Sequence, residues 1–376
     1  MGRESKKKLE IRQLYKRRIF SFICERKETS RQEIAYALRI SMPTVLQNVR
    51  ELCESGYVQE VGQYESTGGR KATIITSCPD AKLSLGIDIT KNYVDLLLVD
   101  LAGAIKEVKH VEMPFAREES YYKKLGELAK NILKGHKNLE DRLHGVGISV
   151  PGIVDEEKMI ITYSHALGFR NLHCSVLSQY IPWPAYFIND ANAAIMAELH
   201  YIDNDSTMAY LSLSNSVGGA VIINGELYKG INQRSCEFGH MRLIPHGKEC
   251  YCGQLGCLDA YCSALVLSEA CGGPLDGFFQ KLNKGDPELK KVWETYLKNL
   301  AVAVINLRMA FDCDIMLGGY VGGYIEPYLP ELRIMVGNLD TFGENGVSFL
   351  KACKCKQKAS AFGAALQPIN DFINHF

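Results

Sequence analysis

The chain has 376 residues, of which 47% are hydrophobic and 23% charged, and this composition is ordinary for a globular protein with two or three domains. No apolar run reaches the ~18 residues that span a bilayer, and the lysine-rich start lacks the apolar core of a signal peptide, so we predict a cytoplasmic protein. The net charge is zero, but residues 1–80 carry 15 Lys and Arg against 10 Asp and Glu. A basic N-terminal segment, the head, in front of an acidic remainder, the body, suggests that the head binds a polyanion.

The first predicted element is a helix over residues 10–26, where apolar residues recur at helical spacing beneath a basic outer face. A second helix is predicted over residues 32–38. Before it, a hydroxyl residue with an acid or amide three positions later predicts a capping box. Two pairs fit that pattern, Thr29 with Gln32 and Ser30 with Glu33.

A third helix is predicted over residues 43–55, with Ser41 as its N-cap, Pro43 in its first turn and Gly56 after its end. Two short helices joined by a turn of about four residues form the helix-turn-helix arrangement. Polar side chains on the outer side of the second of these helices can bond base edges and phosphates. The candidate DNA-binding residues there are Ser41, Thr44, Gln47, Asn48 and Arg50.

Two alternating strands, predicted over residues 57–62 and 71–76, follow these helices. They flank a tight basic tip that ends in Arg70 and Lys71, and such a hairpin after a helix-turn-helix makes a winged helix. The tip is then placed for the minor groove or for phosphates. The alternative is a small helical dimerisation or adaptor domain that binds no DNA.

We therefore predict a winged helix-turn-helix DNA-binding domain over residues 1–78, a linker over residues 79–82, and an α/β body over residues 83–376. In the body, buried strands alternate with helices, as in residues 83–89 and 145–150, and glycine turns stand at the strand ends. The second half repeats this plan. Two similar lobes of this kind resemble the actin-like (ribonuclease H-like) sugar-kinase fold, in which a ligand sits between the lobes.

A histidine and three cysteines fall within 18 residues of the body, at His240, Cys250, Cys252 and Cys257. Four imidazole and thiolate ligands close the tetrahedral shell of Zn²⁺, so the spacing predicts a structural rather than a catalytic metal. Reduced thiols in the cytoplasm favour metal binding over disulfides. The alternative is a chance cluster, because the chain contains 13 cysteines.

The body resembles the ROK family of repressors, open reading frames and kinases. The matching segments are residues 145–155, Ile188–Ala194, Glu237–His240 and Cys250–Cys257. The winged helix in front is similar to the repressor branch of that family, which includes xylose repressors and N-acetylglucosamine repressors. The resemblance implies that the four Cys and His residues hold zinc. It also implies that a sugar is bound by Asn189, Asp190, Glu237 and His240.

A sugar is a ring of hydroxyls that each donate and accept, so carboxylates and an amide can pair with neighbouring hydroxyls. His240 could bind zinc through one ring nitrogen and a sugar hydroxyl through the other. The alternative for Asn189 and Asp190 is a helix N-cap alone. Family members usually carry Glu where this chain has Asp259, so the resemblance implies that Asp259 also binds the sugar, with a side chain one methylene shorter.

In a ROK kinase, Asp190 would be the base that takes the proton from the attacking sugar hydroxyl. Family kinases carry Asp-x-Gly-Gly-Thr after the first strand, where this chain has Asp88–Asn92, and Gly-Thr-Gly-x-Gly-Gly where it has Ser214–Gly219. In those kinase loops, glycines leave the backbone N–H groups free to bind phosphate. In this chain we expect the side chains of Thr90, Lys91 and Ser216 to crowd the same groups. The sequence therefore predicts no enzyme.

These patterns together predict a sugar-responsive DNA-binding regulator, a repressor that acts as a homodimer or homotetramer on an operator. The alternative is an ATP-dependent sugar kinase with a DNA-binding head. A third possibility is a constitutive DNA-binding protein whose body is purely structural.

Overall fold

A computed structural model describes residues 3–64, 72–135, 142–202, 206–344 and 346–376. Its contacts divide the chain into two units. The first comprises residues 1–148, 174–187 and 364–376, and the second comprises residues 149–173 and 188–363. The proposed wing tip with Arg70 and Lys71 lies outside the described residues.

The head consists of three helices and an antiparallel strand pair, close to the predicted boundaries. The helices are α1 (Arg3–Arg26), α2 (Arg31–Leu38) and α3 (Met42–Glu54), and the strands are β1 (Val58–Gln63) and β2 (Thr73–Ser77). Of the two possible capping pairs, the structure selects Ser30, whose Oγ accepts the N–H of Glu33 at 3.2 Å. Arg39 adopts a left-handed conformation with φ 53° and ends α2, as a C-cap requires.

The core of the head is completed by the C-terminus of the chain. The rings of Phe372 and Phe376 pack against Phe20 and Tyr57, with centroid distances of 4.5 to 6.0 Å. The predicted linker is a short 3₁₀ turn over Pro79–Ala81. The first unit thus holds the head, the turn and most of the first sheet, and the domain boundary at residues 79–82 stays a prediction.

The body alternates strands and helices as predicted. Its strands are β3 (Leu83–Ile89), β4 (Tyr93–Asp100), β5 (Ile105–Glu112), β6 (Leu143–Val150), β7 (Ile153–Asp155), β8 (Ile160–Ser164), β9 (Phe169–His173), β10 (Ala185–Asn189), β11 (Met208–Leu213), β12 (Val217–Ile223), β13 (Glu226–Leu227), β14 (Asp314–Gly318) and β15 (Leu350–Ala352). Its helices are α4 (Glu119–Asn131), α5 (Ser175–Ser178), α6 (Asp190–Leu199), α7 (Asp259–Cys262), α8 (Ala264–Cys271), α9 (Leu275–Asn283), α10 (Pro287–Phe311), α11 (Gly319–Gly322), α12 (Leu329–Leu339) and α13 (Ala359–His375).

Two five-stranded sheets share one strand order, which confirms the predicted repeat. The first sheet runs β10-β6-β3-β4-β5 and the second runs β15-β14-β11-β12-β13. In each sheet, three strands that are consecutive in sequence form a meander. A later strand pairs with the first strand of that meander, and the last strand pairs with this added strand. The Asn224-Gly225 turn between β12 and β13 has φ 52° and 79°, the left-handed pair that the predicted hairpin turn requires.

Burial explains the composition of the central strands. All seven residues of β3 are buried, and they are mostly apolar because a strand covered on both faces meets no water. Gly147 on β6 lets α13 approach closely, since a Cβ there would lie 1.7 Å from the carbonyl oxygen of Ala364. Within the described ranges, no helix combines the length and the apolar character needed to cross a membrane.

Candidate functional site

The four predicted metal ligands converge in the second unit. The ligand atoms of His240, Cys250, Cys252 and Cys257 lie within 4.8 Å of one another. Cys252 Sγ is 3.8 Å from Cys257 Sγ, and Cys250 Sγ is 3.9 Å from His240 Nδ1. Two thiolates bound tetrahedrally to Zn²⁺ at ~2.3 Å stand about 3.8 Å apart, so the group is of a size that holds a metal ion.

A glycine and an arginine shape the loop that carries the cysteines. Gly256 has φ +79°, and a Cβ there would meet the carbonyl oxygen of Ile244 at 1.8 Å, so no other residue fits this turn. Arg242 donates to Cys257 Sγ at 3.2 Å and to Gln254 Oε1 at 2.7 Å. Burial raises the pKa of the Cys257 thiol, and the positive charge of Arg242 opposes that rise.

Asn189 and Asp190 stand where β10 ends and α6 begins. Asn189 Oδ1 accepts the N–H of Asn192 at 3.0 Å, so this residue caps α6. Its amide also donates to the carbonyl oxygen of Gly152 at 3.0 Å and to Asp190 Oδ1 at 2.9 Å. The same Asp190 oxygen accepts the N–H of Ala191 at 3.0 Å. The cap predicted as an alternative is therefore present, and it fixes both side chains.

Asp190 and Glu237 interact electrostatically. Burial raises the pKa of Asp190 to about 6, against the effect of its hydrogen bonds. Desolvation raises the pKa of Glu237, the negative charge of Asp190 raises it further, and Arg234 opposes both. The structure thus brings two predicted sugar-binding carboxylates from distant segments within range of each other.

The two ring nitrogens of His240 face different groups. Its Nδ1 faces Cys250 Sγ, while its Nε2 lies 3.4 Å from the hydroxyl of Tyr251. Tyr251 in turn stacks on His165, with ring centroids 4.2 Å apart. Sequence reasoning did not single out either aromatic residue. The place of Tyr251 between two cysteine ligands could have signalled it, whereas His165 carries no local signal.

Asp259 is 5% exposed, and its Oδ2 accepts the N–H of Val217 at 2.6 Å. Burial raises its pKa to about 6. Asp259 thus fastens the loop before β12, and its direct contact with a sugar remains a prediction.

The first of the two loops that would hold phosphate in a kinase carries internal partners. Thr90 Oγ1 accepts the N–H groups of Asn92 at 3.3 Å and Tyr93 at 3.1 Å. In the second loop, the N–H of Val217 is taken by Asp259, as described above. Donors already bound to a protein oxygen are less available to a phosphate.

The exposure of α3 corrects one of the predicted DNA contacts. Ser41, Gln47 and Arg50 are exposed and Thr44 is half-buried. Asn48 is 3% exposed, and its amide donates to the carbonyl oxygen of Thr44 at 2.8 Å. The prediction that Asn48 lies on the outer side of the helix is therefore wrong, because this position faces the head core beside Val45, Val49 and Leu52.

Comparisons with known proteins agree with this fold. The family model described as the ROK family matches residues 84–368. The chain is 23% identical to a xylose repressor of Caldicellulosiruptor bescii over 388 residues, 97% of each chain. It is 28% identical to an N-acetylmannosamine kinase of Escherichia coli O1:K1 over 264 residues, 66% of this chain and 88% of the kinase. A crystal structure of a ROK family transcriptional regulator, homologous to the MLC protein of E. coli, superposes with a TM-score of 0.76 at 18% identity, covering 97% of both chains.

Proposed function

The chain belongs to the ROK family, and from that premise we propose that it is a sugar-responsive, DNA-binding transcriptional repressor. The observation that carries the proposal is the head of three helices and a strand pair, which precedes the family match at residue 84. The relative named a xylose repressor aligns over 97% of this chain, so that alignment includes the head.

The head is proposed to be a winged helix-turn-helix with α3 in the major groove. Ser41, Thr44, Gln47 and Arg50 offer hydroxyl, amide and guanidinium groups on one side of α3, which suit base edges and phosphates. Arg50 is paired with Glu54 at 2.7 Å, but this exposed pair is weak enough to exchange for a phosphate. Arg70 and Lys71 of the wing are proposed to contact the minor groove or phosphates.

The effector is proposed to be a sugar or sugar phosphate held by Asn189, Asp190, Glu237 and His240. The Asp190 carboxylate accepts the hydrogen bonds of Asn189 and Ala191 on Oδ1, so we assign Oδ2 to a sugar hydroxyl. A ligand alters operator affinity only through unequal binding to the DNA-competent and DNA-incompetent states. Xylose is the first sugar to test, because relatives across nearly the whole chain carry its name.

Zn²⁺ is the metal that we propose for the Cys and His cluster. The three sulfurs and one imidazole fit its tetrahedral preference, and four protein ligands leave no position for substrate. The ion would fix the loop that carries His240 and, three residues earlier, Glu237.

The direct test combines operator binding with a panel of sugars. Purified protein should retard DNA from the region upstream of its own gene at low salt, and one sugar should release that DNA. Absence of any retarded band at low salt would overturn the repressor proposal.

A second candidate function is a sugar kinase. The raised pKa of Asp190, about 6, suits a general base near neutral pH, which favours this reading. The N–H groups of Tyr93 and Val217 argue against it, because they are already bonded to Thr90 Oγ1 and Asp259 Oδ2. ADP release with pentoses, hexoses and hexosamines decides between the two, and turnover above ~1 s⁻¹ would establish the kinase.

A further inference from the structure

Two aromatic side chains from separate parts of the second unit form a stacked pair beside the proposed effector site. Tyr251 belongs to the cysteine loop, and His165 follows β8. Their ring centroids are 4.2 Å apart and their planes are inclined by 22°. Despite this contact, 43% of Tyr251 remains exposed, and His165 is also exposed.

Neighbouring groups support the pair from both sides. The hydroxyl of Tyr163 and Nδ1 of His165 lie 3.3 Å apart, and the Arg170 guanidinium covers the Tyr163 ring at 4.6 Å from its centroid. Tyr251 is flanked in sequence by Cys250 and Cys252, so a metal in the cluster would fix its backbone. An exposed aromatic surface that is fixed in this way is preorganised for a ligand.

The surroundings of Tyr251 place it among the proposed sugar ligands. Its hydroxyl lies 3.4 Å from His240 Nε2, the nitrogen that faces away from the cysteines. Its ring centroid is 5.4 Å from that of His240. The aromatic pair and the polar ligands are therefore parts of one site.

We propose that Tyr251, backed by His165, forms the aromatic wall against which the C–H face of a bound pyranose packs. The inference rests on the proposed function, and it adds the ligand class, a closed-ring sugar rather than an open-chain polyol. Binding sites combine apolar and aromatic lining with a few placed polar groups, and Asp190, Glu237 and His240 supply those groups here. Tyrosine suits the role because its ring is apolar and its hydroxyl is polar.

An acyclic analogue separates ring packing from hydroxyl pairing. Xylitol presents the hydroxyls of xylose without a ring face, so the wild-type protein should prefer the closed-ring sugar. Truncation of the aromatic wall should reduce that preference, because only the closed ring packs on it.

The experiment is calorimetry with xylose, glucose, N-acetylglucosamine and their alditols on the full-length, zinc-loaded protein. Tyr251→Ala and His165→Ala should each weaken binding of the preferred sugar by about three- to tenfold and bring it closer to its alditol. Tyr251→Phe keeps the ring and should retain most of the ring preference. His173→Ala, in β9 of the same small sheet, is the matched control and should bind like wild type.

Zinc content and thermal unfolding show whether each variant is folded. If Tyr251→Ala loses zinc, His165→Ala decides, because it lies outside the cysteine loop. Unchanged sugar and alditol affinities in folded His165→Ala and Tyr251→Ala would overturn this inference alone. A wild-type protein that binds none of these sugars would overturn the inference and the sugar-responsive proposal together.

Discussion

Asp190 is the residue at which burial and ligand chemistry are most closely linked. Its carboxylate is tied down by Asn189 and Ala191, yet burial holds its pKa at about 6, well above the ordinary value of 3.8. The ionised form is therefore destabilised in the free protein. A sugar hydroxyl that donates to the carboxylate would stabilise the ionised form.

Sugar affinity should therefore rise as the pH increases through about 6, where Asp190 ionises. Glu237, whose pKa is also raised, contributes in the same direction. Calorimetric titrations between pH 5.5 and 8, with zinc content checked at each pH, measure the effect. Affinity that stays constant across pH 6 would contradict a role for ionised Asp190.

Asp190→Asn should abolish sugar binding and, at neutral pH, stabilise the free protein by about 1–3 kcal/mol. The sign follows from the raised pKa. The stability that Asp190 contributes is fully present below about pH 4 and is lost as the pH rises through about 6. Asparagine does not ionise, so the variant avoids this loss of stability. Chemical denaturation at pH 5 and pH 8 should show a larger gain at pH 8.

Gln47 and Asn48 are adjacent in sequence but should behave differently. Gln47→Ala should lower operator affinity, because the side chain is exposed on α3. Asn48→Ala should leave operator affinity within about twofold, because the side chain is buried. It should lower the free energy of unfolding by about 1 kcal/mol, because the hydrogen bond to the Thr44 carbonyl oxygen is lost. Operator titrations and denaturation of both variants distinguish these outcomes. A larger loss of DNA binding for Asn48→Ala would show that α3 presents a different face.

At the scale of elements, the cysteine loop links metal binding to the effector site. It carries three of the metal ligands, and His240 lies close to both Cys250 and Tyr251. A change in the loop should therefore reach the sugar ligands.

Cys252→Ala should abolish zinc binding and the sugar response together. Removal of one ligand leaves the coordination shell incomplete, and without the ion Glu237 and His240 are no longer held in place. Metal analysis and sugar-induced operator release test this. Cys271→Ala, a cysteine outside the cluster, is the control. Zinc loss with normal operator release by sugar would mean that the loop stabilises the fold but takes no part in the sugar response.

The end of α13 is the second element with a specific consequence. Phe372→Ala should lower the free energy of unfolding by about 2–4 kcal/mol, because its ring packs on Phe20 and Tyr57 in the head core. Asn370→Ala, at an exposed position of the same helix, should change it by less than about 0.5 kcal/mol. Denaturant unfolding compares the two variants, and equal losses would contradict the packing role.

At the scale of the whole molecule, we propose that two copies of the chain read one pseudo-palindromic operator. Paired recognition helices require half-sites one helical turn or a multiple apart. Insertion of about 5 base pairs between the half-sites should abolish tight binding, whereas about 10 should restore part of it. Equal binding to both spacings would indicate independent monomers.

The sequence by itself predicts what depends on neighbouring residues. Hydrophobic period and capping residues predict the head helices to within a few residues, except that α1 begins earlier at Arg3. Asn224-Gly225 predicts its hairpin, and the His and Cys spacing predicts the metal cluster. Glycine turns and buried strands indicate two similar lobes, and the two sheets share one strand order.

The tertiary structure alone decides which side chains are buried and which distant segments meet. Helical spacing puts Asn48 on the same face of α3 as Val45, Val49 and Leu52, but only the packing of α1 and α2 against α3 makes that face the buried one. The stacking of His165 on Tyr251 and the bond of Asp259 to Val217 join segments far apart in the chain. Such contacts depend on the folded position of whole elements, and local sequence carries no signal for them.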